Sequence, residues 1–232
     1  MDLSTHFCHM SILKKMTFFP PDPLLILSFG LKCNNTLREL TLRRNEAFTE
    51  IGWGSMFAVL ESPNCRLEKL NLGLNRINDS LVCSLTNALR NNNTLKTLNL
   101  ETILGEVTVN NTTWLVTIGW RNLFMGLLQS LNSTLERINL KCFGQGFDDS
   151  MIESLGHALA NNSRLRELSL HTIRQITPVG WQNFDDVLRN PNLALEKLYL
   201  NYNSINDRII VIFVEALANN NMLKVLNFVM RT

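Results

Sequence analysis

The chain has few residues of the kinds that build flexible linkers or strongly charged surfaces. Its 232 residues include 6 prolines and 11 glycines, so long linkers between domains are not expected. Charged residues make up 18% of the chain and the formal net charge is +2, which argues against a nucleic-acid partner. The 45% content of hydrophobic residues is typical of a globular protein rather than of a disordered chain.

The cysteines form neither a disulfide framework nor a zinc motif. They are odd in number, contain no Cys-x-x-Cys pair and lie at positions 8, 33, 65, 83 and 142. His6, Cys8 and His9 have metal-binding side chains, but no second cluster would complete four ligands, so no metal or cofactor is expected. Reduced thiols predict a cytoplasmic location. The apolar run at 23–31 is too short to span a membrane, and no membrane partner is expected.

One motif occurs seven times. The pattern Leu-x-x-Leu-x-Leu, with one Ile and one Phe substitution, starts at residues 37, 67, 95, 135, 165, 195 and 223. Successive starts are separated by 30, 28, 40, 30, 30 and 28 residues. Apolar residues at alternate positions predict a short strand with one buried face. A nearly constant period of this length predicts a solenoid of stacked repeats.

Two kinds of helical segment alternate strictly between these strands. One kind begins with a Gly-Trp pair, and its tryptophans are expected to pack between helices: Trp53, Trp120 and Trp181. The other begins with an aspartate where a helix N-cap is needed: Asp79, Asp149 and Asp207. Asparagine runs such as residues 219–221 are expected to end these helices, adopt left-handed backbone and turn the chain into the next strand.

With this alternation, residues 21–232 resemble the ribonuclease-inhibitor class of leucine-rich-repeat proteins, which includes repeat arrays of NOD-like receptors and the Ran GTPase-activating protein. The resemblance implies an α/β fold, a right-handed βα solenoid shaped as an open horseshoe, with about seven parallel strands on the concave side and helices outside. Asn45, Asn75 and Asn203 stand three residues after the last strand leucine, but residues 103, 143 and 173 are Ile, Phe and Ile. A ladder of asparagine side chains is therefore expected to be broken in the middle.

The repeat register also predicts the domain organisation. Residues 1–20 are expected to be a poorly ordered tail, and residues 21–232 a single repeat domain. This domain would contain a partial first repeat at 21–36, an insertion within 101–119 and a truncated last repeat at 223–232. Solenoids normally need polar capping repeats, so uncapped ends predict self-association.

The insertion adds nine residues relative to the corresponding repeats. β-Branched residues on both sides of Asn110 and Asn111 favour a hairpin at the rim of the horseshoe. Trp114 has no position in the repeat, which makes it the strongest single candidate for a binding hot spot. The alternative is a surface loop without function, because lengthening a loop costs little stability.

No catalytic motif stands out, so the sequence predicts a protein-protein interaction scaffold that is not an enzyme. Its partner is expected to bind the concave face, where side chains are free to vary. The outward strand positions are Arg43, Lys69, Asn71, Glu101, Arg137, Lys141, Glu167, His171, Lys197, Tyr199 and Asn201. The alternative, carried by the resemblance alone, is a regulator of a nucleotide-hydrolysing switch, as a GTPase-activating protein or the sensor module of a receptor.

Overall fold

A computed structural model describes residues 22–45, 48–75, 77–102, 108–109, 112–113, 118–128, 134–142, 147–173 and 175–229. The expected tail at 1–20 and Trp114 lie outside these residues. The division of the chain into tail and repeat domain therefore stays a prediction.

Seven of the strands form one parallel sheet. They are β1 (Glu39–Thr41), β2 (Lys69–Asn71), β3 (Thr97–Thr102), β6 (Arg137–Cys142), β7 (Glu167–His171), β8 (Lys197–Tyr199) and β9 (Val225–Asn227). The seven strands are hydrogen-bonded neighbours in the order in which they occur along the chain. The register aligns equivalent positions of every repeat, so that Leu70 pairs with Leu98 and Leu168 with Leu198. The predicted α/β solenoid of leucine-rich-repeat type is confirmed.

Seven described helices alternate with these strands. They are α1 (Pro23–Cys33), α2 (Glu50–Leu60), α3 (Asp79–Asn91), α4 (Ile118–Leu128), α5 (Asp149–Ala160), α6 (Pro178–Arg189) and α7 (Asp207–Leu217). Each helix packs against the next one in the chain. Parallel strands joined by right-handed crossovers place all such helices on one face of the sheet. The other face is left open. Among the described residues, no helix is long and apolar enough to cross a bilayer.

The strand leucines and the helix interiors form a single core. Leu72, Leu140 and Leu170 are fully buried. Trp53 and Trp181 are also buried and make ring contacts, Trp53 with Phe57 at 5.7 Å and Trp181 with Phe213 at 6.2 Å between ring centroids. Trp181 of α6 thus packs against α7, as expected, whereas the contact of Trp53 with Phe57 lies within α2. The side chain of Trp120, in α4, is not among those described.

The helix N-caps lie one residue earlier than predicted. Asn78, Asp148 and Asn206 accept the capping hydrogen bonds, and the predicted caps at 79, 149 and 207 are the first helical residues. Each pair consists of two residues able to cap, and the helix begins after the first of them. Asp149 instead accepts from the backbone and hydroxyl of Thr177, at 2.7 and 2.5 Å. Thr177 is itself the N-cap of α6, so this contact joins adjacent repeats.

The asparagine runs act through their side chains and not through left-handed backbone. Asn92 Nδ2 donates to the carbonyl of Leu60 in the preceding repeat, while its Oδ1 accepts from Thr94 and Leu95. The corresponding asparagines at 162 and 220 make the same bridge. The described non-glycine residues with positive φ lie instead just beyond the strands: Arg44, Leu74, Thr172 and Tyr202. The asparagines do end the helices and turn the chain, as predicted, but they do so through Asx turns and not through left-handed backbone.

A second asparagine contact joins the strand ends. Asn203 Nδ2 donates to the carbonyls of Leu170 and Leu200 at 2.7 and 3.0 Å, and its Oδ1 accepts from the backbone of Ile173 at 2.6 Å. Asn75 makes the equivalent three bonds with Leu42, Leu72 and Asn45. Ile173 has no side-chain amide to extend this ladder, but its backbone N–H still donates to Asn203 Oδ1. Residues 103 and 143 lie outside the described part of the chain.

The insertion contains the predicted hairpin. β4 (Thr108–Val109) pairs in antiparallel fashion with β5 (Thr112–Thr113). Whether this hairpin binds anything stays a prediction.

Candidate protein-binding face

The open face of the sheet presents four rows of side chains that run across all the strands. Successive residues of a strand point to opposite faces, so positions one, three and five of each repeat strand share the open face. We call these the first, third and fifth rows, and we call the residues immediately before each strand the leading row. The leading residues precede the strands, so this alternation does not govern them, but their charged side chains are partly exposed where the strands begin. We call the four rows together the concave face. Every one of the eleven predicted residues lies in the first, third or fifth row.

The leading row alternates in charge from one strand to the next. Its members are Arg38, Glu68, Lys96, Glu136, Arg166, Glu196 and Lys224. Glu68 lies 2.9 Å from Lys96 and 3.8 Å from Arg38, and Glu196 lies 2.8 Å from Lys224 and 3.8 Å from Arg166. Each of these two carboxylates is therefore shared between two cations on the neighbouring strands.

The first row carries the same kind of alternation, displaced by one strand. Its charged members are Glu39, Lys69, Arg137, Glu167 and Lys197. Glu167 lies 3.6 Å from both Arg137 and Lys197, and Glu39 lies 3.1 Å from Lys69. Cations of the first row stand on the strands where the leading row has acids. The two rows form a checkerboard of charge.

The third row is uncharged. It consists of Thr41, Asn71, Asn99, Asn139, Ser169, Tyr199 and Asn227. The amide oxygens of Asn71 and Asn99 accept from the backbones of Gly73 and Glu101 at 2.9 and 3.0 Å. This row separates the charged checkerboard from the fifth row.

Glu101 is the centre of the fifth row. Its carboxylate accepts from Arg43 at 3.1 Å and from Lys141 at 3.0 Å. Arg43 reaches two strands across the sheet, over Gly73. A Cβ at position 73 would lie 3.3 Å from the Cβ of Glu101 and 3.1 Å from Asn71 Oδ1, so glycine leaves room beside this ion pair. The row continues with His171, which pairs with Lys141 in the strand register.

Neighbouring charges and burial shift several pKa values on this face. The hydrogen bond and charge of Lys96 lower the pKa of Glu68, and the Glu68 carboxylate in turn raises the pKa of Lys96. The hydrogen bond from Lys224 is the main cause that lowers the pKa of Glu196. Burial, assisted by the charge of Lys141, lowers the pKa of His171. These ion pairs persist near neutral pH, where His171 is uncharged.

Sequence reasoning missed the leading row. Its alternation was readable in the second letter of the seven motifs, which runs R, E, K, E, R, E, K. Each motif alone contains one ordinary charged residue at this position. The alternation of sign is visible only when the seven motifs are aligned as neighbouring parallel strands. The predicted rim residue Trp114 is outside the described residues and cannot be placed beside these rows.

The helical side of the molecule has fewer features that suggest a binding site. Two adjacent open grooves of about 340 and 380 Å³ lie over helices α4 to α6, and Glu153 and His157 line both. Within the described ranges, no group of three His, Cys, Asp or Glu side chains could hold a metal ion. Among the described residues, Cys65 and Cys83 are free thiols.

Comparisons with known proteins add little about partners. No protein-family model matches the chain, and no curated protein matches it either. A solved structure of leiomodin-1 actin-binding site 2 has a TM-score of 0.48 and 16% identity, covering 87% of this chain and 91% of that one. The tropomodulin C-terminal domain of Caenorhabditis elegans has a TM-score of 0.44 and 13% identity, covering 85% and 93%. Likeness at this level carries no argument about function.

Proposed function

We propose that this protein is a non-catalytic protein-binding scaffold whose partner docks on the concave face. One observation carries the proposal. Mainly charged and polar side chains line one face of the sheet, with Gly73, Val225 and Val229 as exceptions, while all the described helices pack on the other. Repeat solenoids use such open faces to bind partners, because packing leaves those positions free to vary.

The strict alternation of Gly-Trp helices with Asn- or Asp-capped helices supports a place in the ribonuclease-inhibitor class. Trp53 and Trp181 occupy equivalent buried sites, and Asn78, Asp148 and Asn206 cap the helices of the alternate kind. We include that class in the proposal. Nothing in the described residues favours the alternative role as a regulator of a nucleotide-hydrolysing switch.

The test reverses the charge of two lysines on the concave face in one variant, Lys141→Glu with Lys197→Glu. The control reverses two exposed arginines on the helices, Arg90→Glu with Arg208→Glu, which changes the net charge equally. A photo-crosslinking residue is placed at Tyr199 in each background, and a matched one at the exposed Val179 of α6.

We expect covalent capture of a partner from Tyr199 in the parent and in the helix control, and loss of capture in the concave variant. The urea midpoint should hardly change, since surface substitutions rarely matter much for stability. Capture from Val179 but not from Tyr199 would place the partner on the helices and contradict the proposal. Unfolding of the concave variant would mean that the two lysines are structural; the neutral pair Lys141→Gln and Lys197→Gln then repeats the test.

A further inference from the structure

The concave face is organised around four carboxylates, each held between two cations on adjacent or nearby strands. Glu68 and Glu196 occupy the leading row, Glu167 the first row and Glu101 the fifth row. We call each group of one carboxylate and two cations a triad. A carboxylate between two cations neutralises one positive charge, so each triad has a net charge of +1.

In every triad the carboxylate is the less exposed group. The Glu101 side chain is 14% exposed, against 47% for Arg43 and 32% for Lys141. The other three triads show the same order. Among the described ion pairs of this face, the edge pair of Glu39 and Lys69 is the exception, with the acid slightly more exposed. An approaching partner therefore meets ammonium and guanidinium groups first.

The face as a whole is positive. Its leading, first and fifth rows hold nine Lys or Arg and six Glu residues, an excess of three positive charges. The whole chain has a formal net charge of only +2, so the rest of the molecule does not share this excess. Complementary charge on a partner speeds encounter and selects among partners.

We propose that the concave face binds an extended acidic segment of a protein partner. This inference rests on the proposed function and names the class of partner. The leading row has a cation on every second strand, and strands lie about 4.8 Å apart, so its cations repeat at about 10 Å. A polyproline II segment turns once in three residues and rises about 3.1 Å per residue, so acidic residues at every third position would repeat at about 9 Å along one side.

Protein fits this pattern better than nucleic acid. A phosphate backbone carries closely spaced negative charges. It would place several phosphates beside Glu68, Glu136 and Glu196, which stand between the cations. A peptide with spaced carboxylates meets the cations and leaves neutral residues opposite the acids. Nucleic-acid binding is therefore an outcome that the test must exclude.

The experiment measures fluorescence anisotropy with a labelled (Glu-Pro-Pro)5 peptide, which is preorganised in the extended conformation. The comparison peptides are (Lys-Pro-Pro)5 and (Gln-Pro-Pro)5, and an unlabelled single-stranded oligonucleotide serves as competitor. The concave variant is Lys96→Glu with Arg166→Glu, and the control is Arg90→Glu with Arg208→Glu. Lys96→Gln with Arg166→Gln is a milder version in case the reversal perturbs folding, which circular dichroism would show.

The acidic peptide should bind the parent and the control. Binding should weaken by about tenfold in the concave variant, as expected from the loss of two exposed charge pairs. It should also weaken steeply with added salt, because the groups are exposed. Equal binding of the three peptides, an unchanged affinity in the concave variant, or tighter binding of the oligonucleotide would each overturn the inference.

Failure here is separable from failure of the proposed function. If Tyr199 captures a protein partner while the acidic peptide does not bind, the scaffold proposal stands and the acidic class of partner is wrong. If Tyr199 captures nothing and the peptide does not bind, both proposals fail.

Discussion

The two faces of the same sheet obey different rules. On the inner face, strand positions two and four are almost uniformly Leu or Ile, and those in the interior of the array are buried. On the concave face, equivalent positions differ from strand to strand in charge, size and polarity. Adjacent residues such as Leu140 and Lys141 are therefore constrained differently. The leucine must fit the buried core, whereas the lysine lies on the concave face. The difference shows that repetition specifies the fold, while departures from repetition are where a partner can be specified.

The sharpest comparison between the faces uses that pair. Leu140→Ala should lower the free energy of unfolding by about 3 kcal/mol, because it leaves a cavity in a fully buried site. Lys141→Ala, one residue later, should cost no more than about 1 kcal/mol, since it breaks one partly exposed ion pair. Urea unfolding measures both. Similar losses in the two variants would show that the concave face also carries the stability.

A second comparison uses Asn203 and Asn201, two asparagines that follow strand β8. Asn203→Ala should lower stability by about 2 to 3 kcal/mol, because it removes three hydrogen bonds and leaves buried backbone groups of Leu170, Leu200 and Ile173 unpaired. Asn201, on the open face, has a buried Oδ1 without a hydrogen-bond partner. Asn201→Ala should change stability by less than about 0.5 kcal/mol. A harmless Asn203→Ala would contradict the structural role of the ladder.

The helix starts give a third, smaller effect. Asp149→Ala should lower stability by about 1 to 2 kcal/mol, since Thr177 loses an ionised acceptor for two donors. Asp207 is the first residue of α7, so Asp207→Ala is the matched control. It removes only a favourable charge near a helix N-terminus, worth about 0.5 kcal/mol. Thermal unfolding of the two variants measures both losses of stability. Equal losses would mean that the contact of Asp149 with Thr177 contributes nothing to stability.

These comparisons also show how far the sequence could be interpreted. The strands and their order followed from the leucine spacing, because a period-two pattern repeated in register leaves one arrangement. The N-caps did not follow, since Asp148 and Asp149 can both cap and the choice depends on which one faces Thr177 of the next repeat. The eleven outward residues lie at alternate strand positions, and whether they bind a partner stays a prediction. The pairing of Arg43 with Glu101 was not foreseen, because it depends on Gly73, which follows the strand between them.

The smallest effect concerns the pH dependence of the fifth row. Burial, with the charge of Lys141, lowers the pKa of His171, while Glu101 opposes the shift. Strand β6 places Lys141 beside it, and Asn201, just after β8, accepts from the backbone of Thr172. Glu167 and Tyr199 lie in the rows before it. A histidine whose pKa is lower in the folded state favours folding above its unfolded pKa of about 6.5. This contribution falls as the pH drops from that value to the folded pKa.

His171→Gln should therefore unfold at nearly the same urea concentration as the parent at pH 7.5, within about 0.5 kcal/mol in stability. At pH 5 the variant should be the more stable of the two, because it has no proton to take up on unfolding. Lys141→Gln is the companion variant. Removing that charge should reduce the stability that the parent loses between pH 7.5 and pH 5, but not abolish it, since burial remains the larger cause. If the parent and His171→Gln lose stability in parallel over this range, His171 is not the group that titrates, and Glu68 and Glu196, whose pKa values are lowered, become the ones to test.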